Sequence, residues 1–420
     1  MGLGNVGSQV ADRLLSKREA LRQRTGIDID LRAILVRDRA KPRPIEPPSA
    51  LLTTDPDALL ADPEIQLIVE VIGGDEPARS YLEAALRAGK HVVTANKVVM
   101  ARHGPALLRL AAHQNLDLYF EAAVGGGIPL ISTFKIDLQA NEINRIAAVI
   151  NGTTNYVLGR MSAAGLAFDA AVREAQQAGY AEADPTDDVD GFDAVYKLAV
   201  MSSIAFGTEV PPESVYREGI RDVRPVDFRY ARELGYEIKL LAYTARVDTR
   251  LDVRVHPAMV PLTHPLAQVE GAFNAVFIEG DLIGPVLLYG QGAGGRPTAS
   301  AVIGDVVDVG RSIQRGVQRR TVHEIDAALA LLPIDDVTTR AYFRVQLADK
   351  PGVLAAVSAA FGEEGVSISS AIQKEAFADR GAAEFVVTTH PATDAALRRT
   401  RERLARLPVV DAVGTFLRVL

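Results

Sequence analysis

Three glycines at the start of the chain, in Gly2-Leu3-Gly4-Asn5-Val6-Gly7, fit the spacing G-x-G-x-x-G and lead straight into a helical pattern over residues 6–21. Glycines so placed permit a tight turn and let a pyrophosphate approach a helix N-terminus closely. Alone the match is weak, because any glycine-rich helix start looks similar. The sequence that follows gives it weight. Residues 31–36 and 66–72 read as strands, 77–88 as a helix with Gly89 beyond its end, and 91–94 and 116–120 as further strands. Strands alternating with helices imply right-handed crossovers and a parallel, doubly wound sheet.

Such a glycine turn normally follows a strand, yet the chain begins at Met1. In a doubly wound sheet that first strand is central, and without it buried backbone groups lose partners. The expectation is that the natural protein starts several residues upstream; the alternative is a genuine short form with weakened cofactor binding.

From about residue 124 the pattern changes. Strand-like segments at 145–150 and 251–255 are interleaved with helical stretches at 171–179 and 192–206, an α+β arrangement suited to substrate binding and oligomer contact. A helix over 297–311 is expected to pack back on the first domain. Residues 341–420 run strand, helix, strand, strand, helix, strand, the βαββαβ order of a ferredoxin-like unit. The expected boundaries are 1–123 for the nucleotide domain, 124–316 for the catalytic domain, 317–340 for a connecting segment and 341–420 for the terminal unit.

Composition narrows the chemistry. The 420 residues contain no cysteine, which excludes a thiol nucleophile, thiolate zinc sites and a disulfide framework. A net charge of −7 argues against nucleic acid as a partner, and the basic pair Arg319-Arg320 does not change that. No apolar run is long enough for a membrane span and no secretory signal is seen, so a cytoplasmic protein is expected.

Three polar stretches look chemical. In Thr94-Ala95-Asn96-Lys97, Asn96 suits a helix N-cap and puts Lys97 in the first turn, where a cation opposes the helix dipole. A solvated surface lysine is the bland alternative. The run from Gly179 to Lys197 holds five aspartates and Glu182, with Asp193 and Lys197 four apart on one helix. Asp190 as N-cap and Asp193 as a capping partner would explain two carboxylates; the rest would form a negative pocket for an ammonium group. Small-residue turns at 121–129, 151–154 and 290–295 suggest backbone close to a ligand. Arg greatly outnumbers Lys, so lysines retained in polar clusters point to proton transfer, which Arg cannot readily perform. Arg37-Asp38 at the end of the second strand favours NADP slightly, with NAD tolerated.

With these residues in hand, the chain resembles the homoserine dehydrogenase family over nearly its whole length. The motifs are residues 2–7, Val69-Glu70-Val71-Ile72-Gly73-Gly74, residues 89–97, Asn151-Gly152-Thr153-Thr154-Asn155, residues 179–185 and Pro297-Thr298-Ala299-Ser300. The terminal unit looks like an ACT domain, with Asp349-Lys350-Pro351-Gly352 at its first turn. The resemblance implies a Rossmann-type nucleotide domain and NAD(P)-dependent interconversion of L-homoserine and L-aspartate 4-semialdehyde, on the route to threonine, methionine and isoleucine. By position it implies Lys197 as general acid/base, Lys97 as its assistant, and Asp193 orienting substrate and proton path. Glu182 would bind the substrate amino group, with Asp188 and Thr154 also at the substrate. Gly2, Gly4, Asn5, Val6, Gly7, Arg37, Ile72, Gly73, Thr94, Lys97, Gly179 and Gly292 would touch the cofactor. It further implies a monovalent cation (Na⁺ or K⁺) on Glu121 and the backbone oxygens of Val124, Gly126 and Ile128, a homo-oligomer (dimer or tetramer), and L-threonine as an effector bound between ACT units. The alternative from a different class is a catalytically weak, dehydrogenase-like amino-acid sensor.

Overall fold

The computed structural model describes residues 1–317, 325, 329–377 and 382–420. Most of the stretch 318–328 in the expected connecting segment, including Arg319-Arg320, lies outside the described residues. By internal contacts the chain divides into two compact units. One comprises Met1–Ile143, Tyr196–Ser214 and Glu279–Ala328; the other comprises Asn144–Val195, Val215–Ile278 and Leu329–Leu420.

The first unit contains the parallel sheet expected from the alternating pattern. Leu67–Glu70, His91–Thr94 and Leu118–Tyr119 pair in parallel, and Ile34–Leu35 pairs in parallel with Leu52–Thr53. The two pieces are bridged by Met1 and Gly2. The Gly2 N–H donates to the Leu35 carbonyl (3.0 Å), the Val71 N–H to the Met1 carbonyl (3.0 Å), and the Met1 amine to the Val69 carbonyl (2.6 Å). The place of the first strand is thus held by two residues.

Two helices cover the span read as one helix at 6–21. Asn5–Ser16 ends at Lys17, and Arg18–Thr25 follows. The first buries Val10, Ala11 and Leu14, whereas the second buries nothing, so the apolar face that aligned the first turns runs out at the break. The helix Gly295–Arg315 packs back as expected: Val302, Val306 and Val309 share a core with Val10, Leu14 and Val93.

This unit also buries charge. Asp305, Glu121 and Lys135 are each at most 8% exposed, and the Glu121 N–H donates to Asp305 Oδ2 at 2.9 Å. Burial pushes the Asp305 carboxyl up to about 8 and the Lys135 ammonium down to about 8, the latter lying 4.3 Å from the Phe120 ring centroid.

In the second unit a long sheet runs through Phe273–Gly280, Ile143–Val149, Tyr236–Val247, Arg250–Pro261, Val410–Val419, Thr338–Ala348, Ala382–Thr389 and Ile368–Phe377. Its last four strands, with helices Val353–Glu363 and Asp394–Ala405, are the expected βαββαβ unit. That unit does not stand alone. Its strand Val410–Val419 pairs in parallel with Arg250–Pro261 (Arg418 opposite Ala258, Val419 opposite Met259), so one sheet crosses the expected boundary at 341. Joining the edges satisfies backbone groups that would otherwise be exposed.

Side chains fasten the same junction. Asp227, fully buried, accepts from Arg344 Nε (2.7 Å), the Tyr342 hydroxyl (3.1 Å), the Thr415 hydroxyl (2.5 Å) and the Arg224 N–H (2.8 Å). Arg418 donates to Asp394 Oδ1 (2.7 Å) and Glu218 Oε2 (2.9 Å) with its side chain 1% exposed. The strand expected at 251–255 extends over Arg250–Pro261 and is buried on both faces, including Asp252, Arg254 and His256. Its hairpin partner Tyr236–Val247 is a strand that the sequence pattern does not announce.

Asp305 sets a pH dependence. Its folded-state pKa is raised from 3.8 to about 8, so its contribution to stability is complete below about pH 4 and is lost as pH rises through about 8. Asp305→Asn, which cannot titrate, is expected to flatten the fall in stability across this window. Denaturant melts of both proteins from pH 4 to 8 check it; parallel pH profiles contradict it.

Candidate functional site

In the first unit, the loop after Leu67–Glu70 is shaped by one buried side chain. Glu70, with no exposed surface, accepts the Ile72 N–H at Oε1 (2.6 Å) and the Thr94 hydroxyl at Oε2 (2.6 Å). Thr94 Oγ1 in turn accepts the Asn96 N–H (3.0 Å). Asn96 caps the helix Lys97–His113 as expected, accepting the Val99 N–H (3.2 Å), while its amide donates to the Gly74 carbonyl (2.7 Å). These bonds fix Ile72, Gly73, Thr94 and Lys97 relative to one another. Glu70 lies inside one of the sequence motifs but is not among the residues expected at the site; a lone glutamate inside an apolar strand was the available signal.

Lys97 and Lys197, a hundred residues apart in sequence, line one cavity of about 230 Å³, together with Gly73, Gly126 and Gly292. Lys197 is 8% exposed on the helix Phe192–Phe206. A Cβ on Gly126 would lie 2.6 Å from the Gly292 carbonyl oxygen, so only glycine lets these two backbone segments meet. Gly73 and Gly74 have φ of 81° and 77°, and a Cβ on either would meet nothing within 4 Å, leaving open space above the loop.

The glycine turn fits the demands of a dinucleotide. Gly2 has φ of 93°, and a Cβ on Gly7 would come within 2.3 Å of the Gly2 carbonyl oxygen. Gly4 precedes the helix Asn5–Ser16 with nothing within 4 Å of its Cβ position, which leaves the helix N-terminus open to a phosphate. Val6 lies in the first turn of that helix. Gly295 abuts Asn5, its Cβ position being 2.6 Å from Asn5 Oδ1. Arg37 and Asp38 are exposed, and Asp38 Oδ1 accepts the Ala40 N–H at 2.8 Å.

Glu121 is heavily engaged by backbone. Its Oε1 accepts the N–H groups of Leu130 (2.6 Å) and Ile131 (2.8 Å), and its Oε2 that of Ser132 (2.7 Å). These three bonds leave lone-pair capacity on a carboxylate that can accept about four. Gly125 and Gly126, with φ of 74° and 58°, turn the loop that carries the Val124, Gly126 and Ile128 carbonyls. An all-oxygen donor set of this kind suits a hard cation. Among the described residues no group of three or more His, Cys, Asp or Glu side chains could hold a metal ion.

The second unit gathers the carboxylates around an asparagine. Asn151 caps the helix Gly152–Ala164, accepting the Thr154 N–H (2.8 Å) and hydroxyl (3.0 Å). Its amide donates to Asp188 Oδ1 (2.7 Å) and to Asp193 Oδ2 (2.8 Å), the latter residue 4% exposed. Asp188, Asp193 and Thr154 are thus brought together, with Asn151 as the hub that sequence reasoning saw only as part of a turn. Glu182 is exposed in the preceding loop, where its carbonyl accepts from Gln176 (3.0 Å). Gly179, with φ of 77°, closes the helix Phe168–Gln177.

Asp184 and Asp190 are engaged in local structure. Asp184 accepts the Thr186 N–H (3.1 Å) and hydroxyl (2.6 Å). Asp190 is not the N-cap of the helix Phe192–Phe206; its carboxylate pairs with Arg221 Nε at 2.5 Å, drawn off by the stronger charge-assisted bond.

Comparison with known proteins follows the same residues. A model of the homoserine dehydrogenase NAD binding domain matches residues 2–121, one of homoserine dehydrogenase matches 129–307, and one of the ACT domain matches 341–409. The homoserine dehydrogenase of Mycobacterium tuberculosis (strain ATCC 25618 / H37Rv) is 45% identical over 428 residues, spanning 100% of this chain and 96% of that protein. That of Synechocystis sp. is 42% identical over 429 residues, spanning 100% and 98%. The crystal structure of a homoserine dehydrogenase from Thiobacillus denitrificans superposes with a TM-score of 0.92 at 39% identity, covering 100% of this chain and 96% of that one. A hyperthermophilic archaeal homoserine dehydrogenase mutant in complex with NADPH covers 73% of this chain and 95% of its own, with a TM-score of 0.58 at 30% identity. Matched in this way along its whole length, the chain belongs to the homoserine dehydrogenase family, with an NAD-binding domain, a catalytic domain and a C-terminal ACT domain.

Proposed function

We propose that the chain interconverts L-homoserine and L-aspartate 4-semialdehyde in the cytoplasm, with Lys197 as general acid/base and NADP or NAD as hydride carrier. The observation that carries the residue assignment is the shared cavity of Lys97 and Lys197. When bound, the nucleotide gives or takes the hydride at C4. The glycine turn and the loop braced by Glu70 would hold it. Lys197 delivers a proton to the C4 oxygen as the aldehyde is reduced and removes it in the reverse direction. Lys97 adds positive charge where the alkoxide develops. Asp188 and Asp193, held by Asn151, attract the substrate ammonium together with Glu182, and Thr154 completes that cluster.

The Glu121 loop, with the Val124, Gly126 and Ile128 carbonyls, would hold a sodium or potassium ion and stiffen the backbone beside Gly292. The ACT domain would make the enzyme responsive to L-threonine, a product formed downstream of homoserine. The chain would also form a homo-oligomer. On the strand Gly284–Gln291, Leu287 and Tyr289 are exposed, as are Leu282 and Ile283 just before it. An apolar row of this kind is a surface for a second copy.

Three measurements test this reading. Lys197→Ala is expected to lower turnover by ~10²–10⁴ with nucleotide binding kept, and Lys197→Arg to stay similarly slow, because a guanidinium holds its proton. Near-normal turnover in the alanine variant would remove Lys197 from the chemistry. Replacing sodium and potassium by tetramethylammonium at constant ionic strength should reduce turnover; equal rates would discard the cation. Light scattering should give a multiple of 45.0 kDa that falls on Tyr289→Asp, and an unchanged mass would place the contact elsewhere.

A further inference from the structure

Lys239 is a buried lysine that the proposed chemistry does not use. It lies on the strand Tyr236–Val247 and is 4% exposed. Alternation puts it on the same sheet face as Leu241, which packs in an apolar core with Val149, Val269 and Ala275. Its ammonium donates to the Asn155 side-chain oxygen (3.1 Å) and to the Val269 carbonyl (2.6 Å). Both acceptors are neutral, and burial pushes the lysine pKa down against the pull of Glu237 and Glu270. A methionine would fill the same space without desolvating a charge. It could not tie a helix and a loop together at one side-chain tip, which an ammonium with three donors can.

The two segments joined by Lys239 meet beside the carboxylate cluster. Asn155, 2% exposed, stands one turn into the helix Gly152–Ala164, and its N–H donates to the carbonyl of the cap Asn151 (3.2 Å). Its amide donates to the carbonyls of Val269 (3.1 Å), Gly271 (2.9 Å) and Phe273 (3.4 Å). The Asn274 amide donates to the Ile150 carbonyl (2.8 Å). A Cβ on Gly152 would lie 2.7 Å from the Ala272 oxygen, so the loop presses directly on the helix start. Residues 269–274 are thus stitched to the chain on both sides of Asn151. Lys239 decides which way Asn155 faces. With the side-chain oxygen on the ammonium, the amide points at the loop carbonyls; turned over, it would set oxygen against oxygen and nitrogen against the cation.

We propose that Lys239 is a positioning residue for the substrate: by orienting Asn155 and holding the loop at 269–274, it fixes the helix start on which Asn151 spaces Asp188 and Asp193. The inference rests on the substrate role proposed for that cluster and adds the side chain that holds it in place. Lys239 acts through Asn155 and Asn151, whose amide bonds both carboxylates. Every residue of this chain of contacts belongs to the second unit, whereas the glycine turn, Lys97 and Lys197 belong to the first. Loss of Lys239 therefore falls on the hold for the amino-acid substrate and spares the hold for the nucleotide.

The test is calorimetric titration of the full chain with L-homoserine and, separately, with NADP, alongside steady-state kinetics. Lys239→Met should raise both the Kd and the KM for L-homoserine about tenfold, the loss of one charge-assisted contact, and leave the Kd for NADP within about twofold. Asn155→Ala cuts the same link from its other end with a smaller change in packing, and should show the same split. NADP binding reports whether the variants fold. Unchanged affinity for L-homoserine in both variants would overturn the proposal. An equal loss for both ligands would also overturn it, because it would make Lys239 a stabiliser of the fold and nothing more. No binding of L-homoserine by the unaltered chain would overturn the substrate reading of the cluster, and this inference with it.

Discussion

The buried Glu70 carboxylate is the interaction on which the nucleotide end of the molecule depends. It sits at the end of a strand, where backbone N–H groups leave the sheet and lose their ladder partners. By accepting from Ile72 and Thr94, and through Thr94 from Asn96, it fixes the loop and helix start that carry Gly73, Gly74 and Lys97. A buried donor left unpaired costs roughly 1–3 kcal/mol, so several held by one side chain make the loop shape cooperative. Glu121 does the same for the N–H groups of Leu130, Ile131 and Ser132. Both turns carry glycines and owe their shape to buried carboxylates.

The second unit uses the same device with different residues. Asn151 satisfies a helix start with its oxygen and spaces two carboxylates with its amide, which keeps like charges close without contact between them. Asp227 gathers an arginine, a tyrosine and a threonine from ACT strands, and the sheet continues through Arg250–Pro261 into Val410–Val419. An ACT domain attached by a shared sheet and a buried ion pair has no freedom to move as an independent bead. Any signal from it must pass as strain or as a change in local packing.

Features that repeat along the chain were legible in the sequence. The glycine spacing, the alternating strands and helices, the βαββαβ order and the cap at Asn96 follow from local periodicity and side-chain chemistry, and the elements appear within a few residues of expectation. Lys97 and Lys197 stood out because the chain otherwise writes arginine, and they share a cavity. Long-range choices were not legible. Glu70 and Asn151 act through partners that only the fold brings near. Asp190 looked like a helix cap because nothing local announces Arg221. The first part of the strand Arg250–Pro261, residues 250–257, alternates polar and apolar residues as if half exposed, yet Asp252, Arg254 and His256 are buried. The joined sheet was invisible for the same reason: edge pairing depends on geometry, not on any motif.

Whether the cavity of Lys97 and Lys197 serves a working oxidoreductase is tested most directly by the absorbance of reduced nicotinamide when L-homoserine is added to the purified chain with NADP or NAD. The expected result is reduction that requires L-homoserine and reverses on adding L-aspartate 4-semialdehyde. Nucleotide binding with no reduction under either cofactor would contradict that role and leave an amino-acid-binding protein in a dehydrogenase fold.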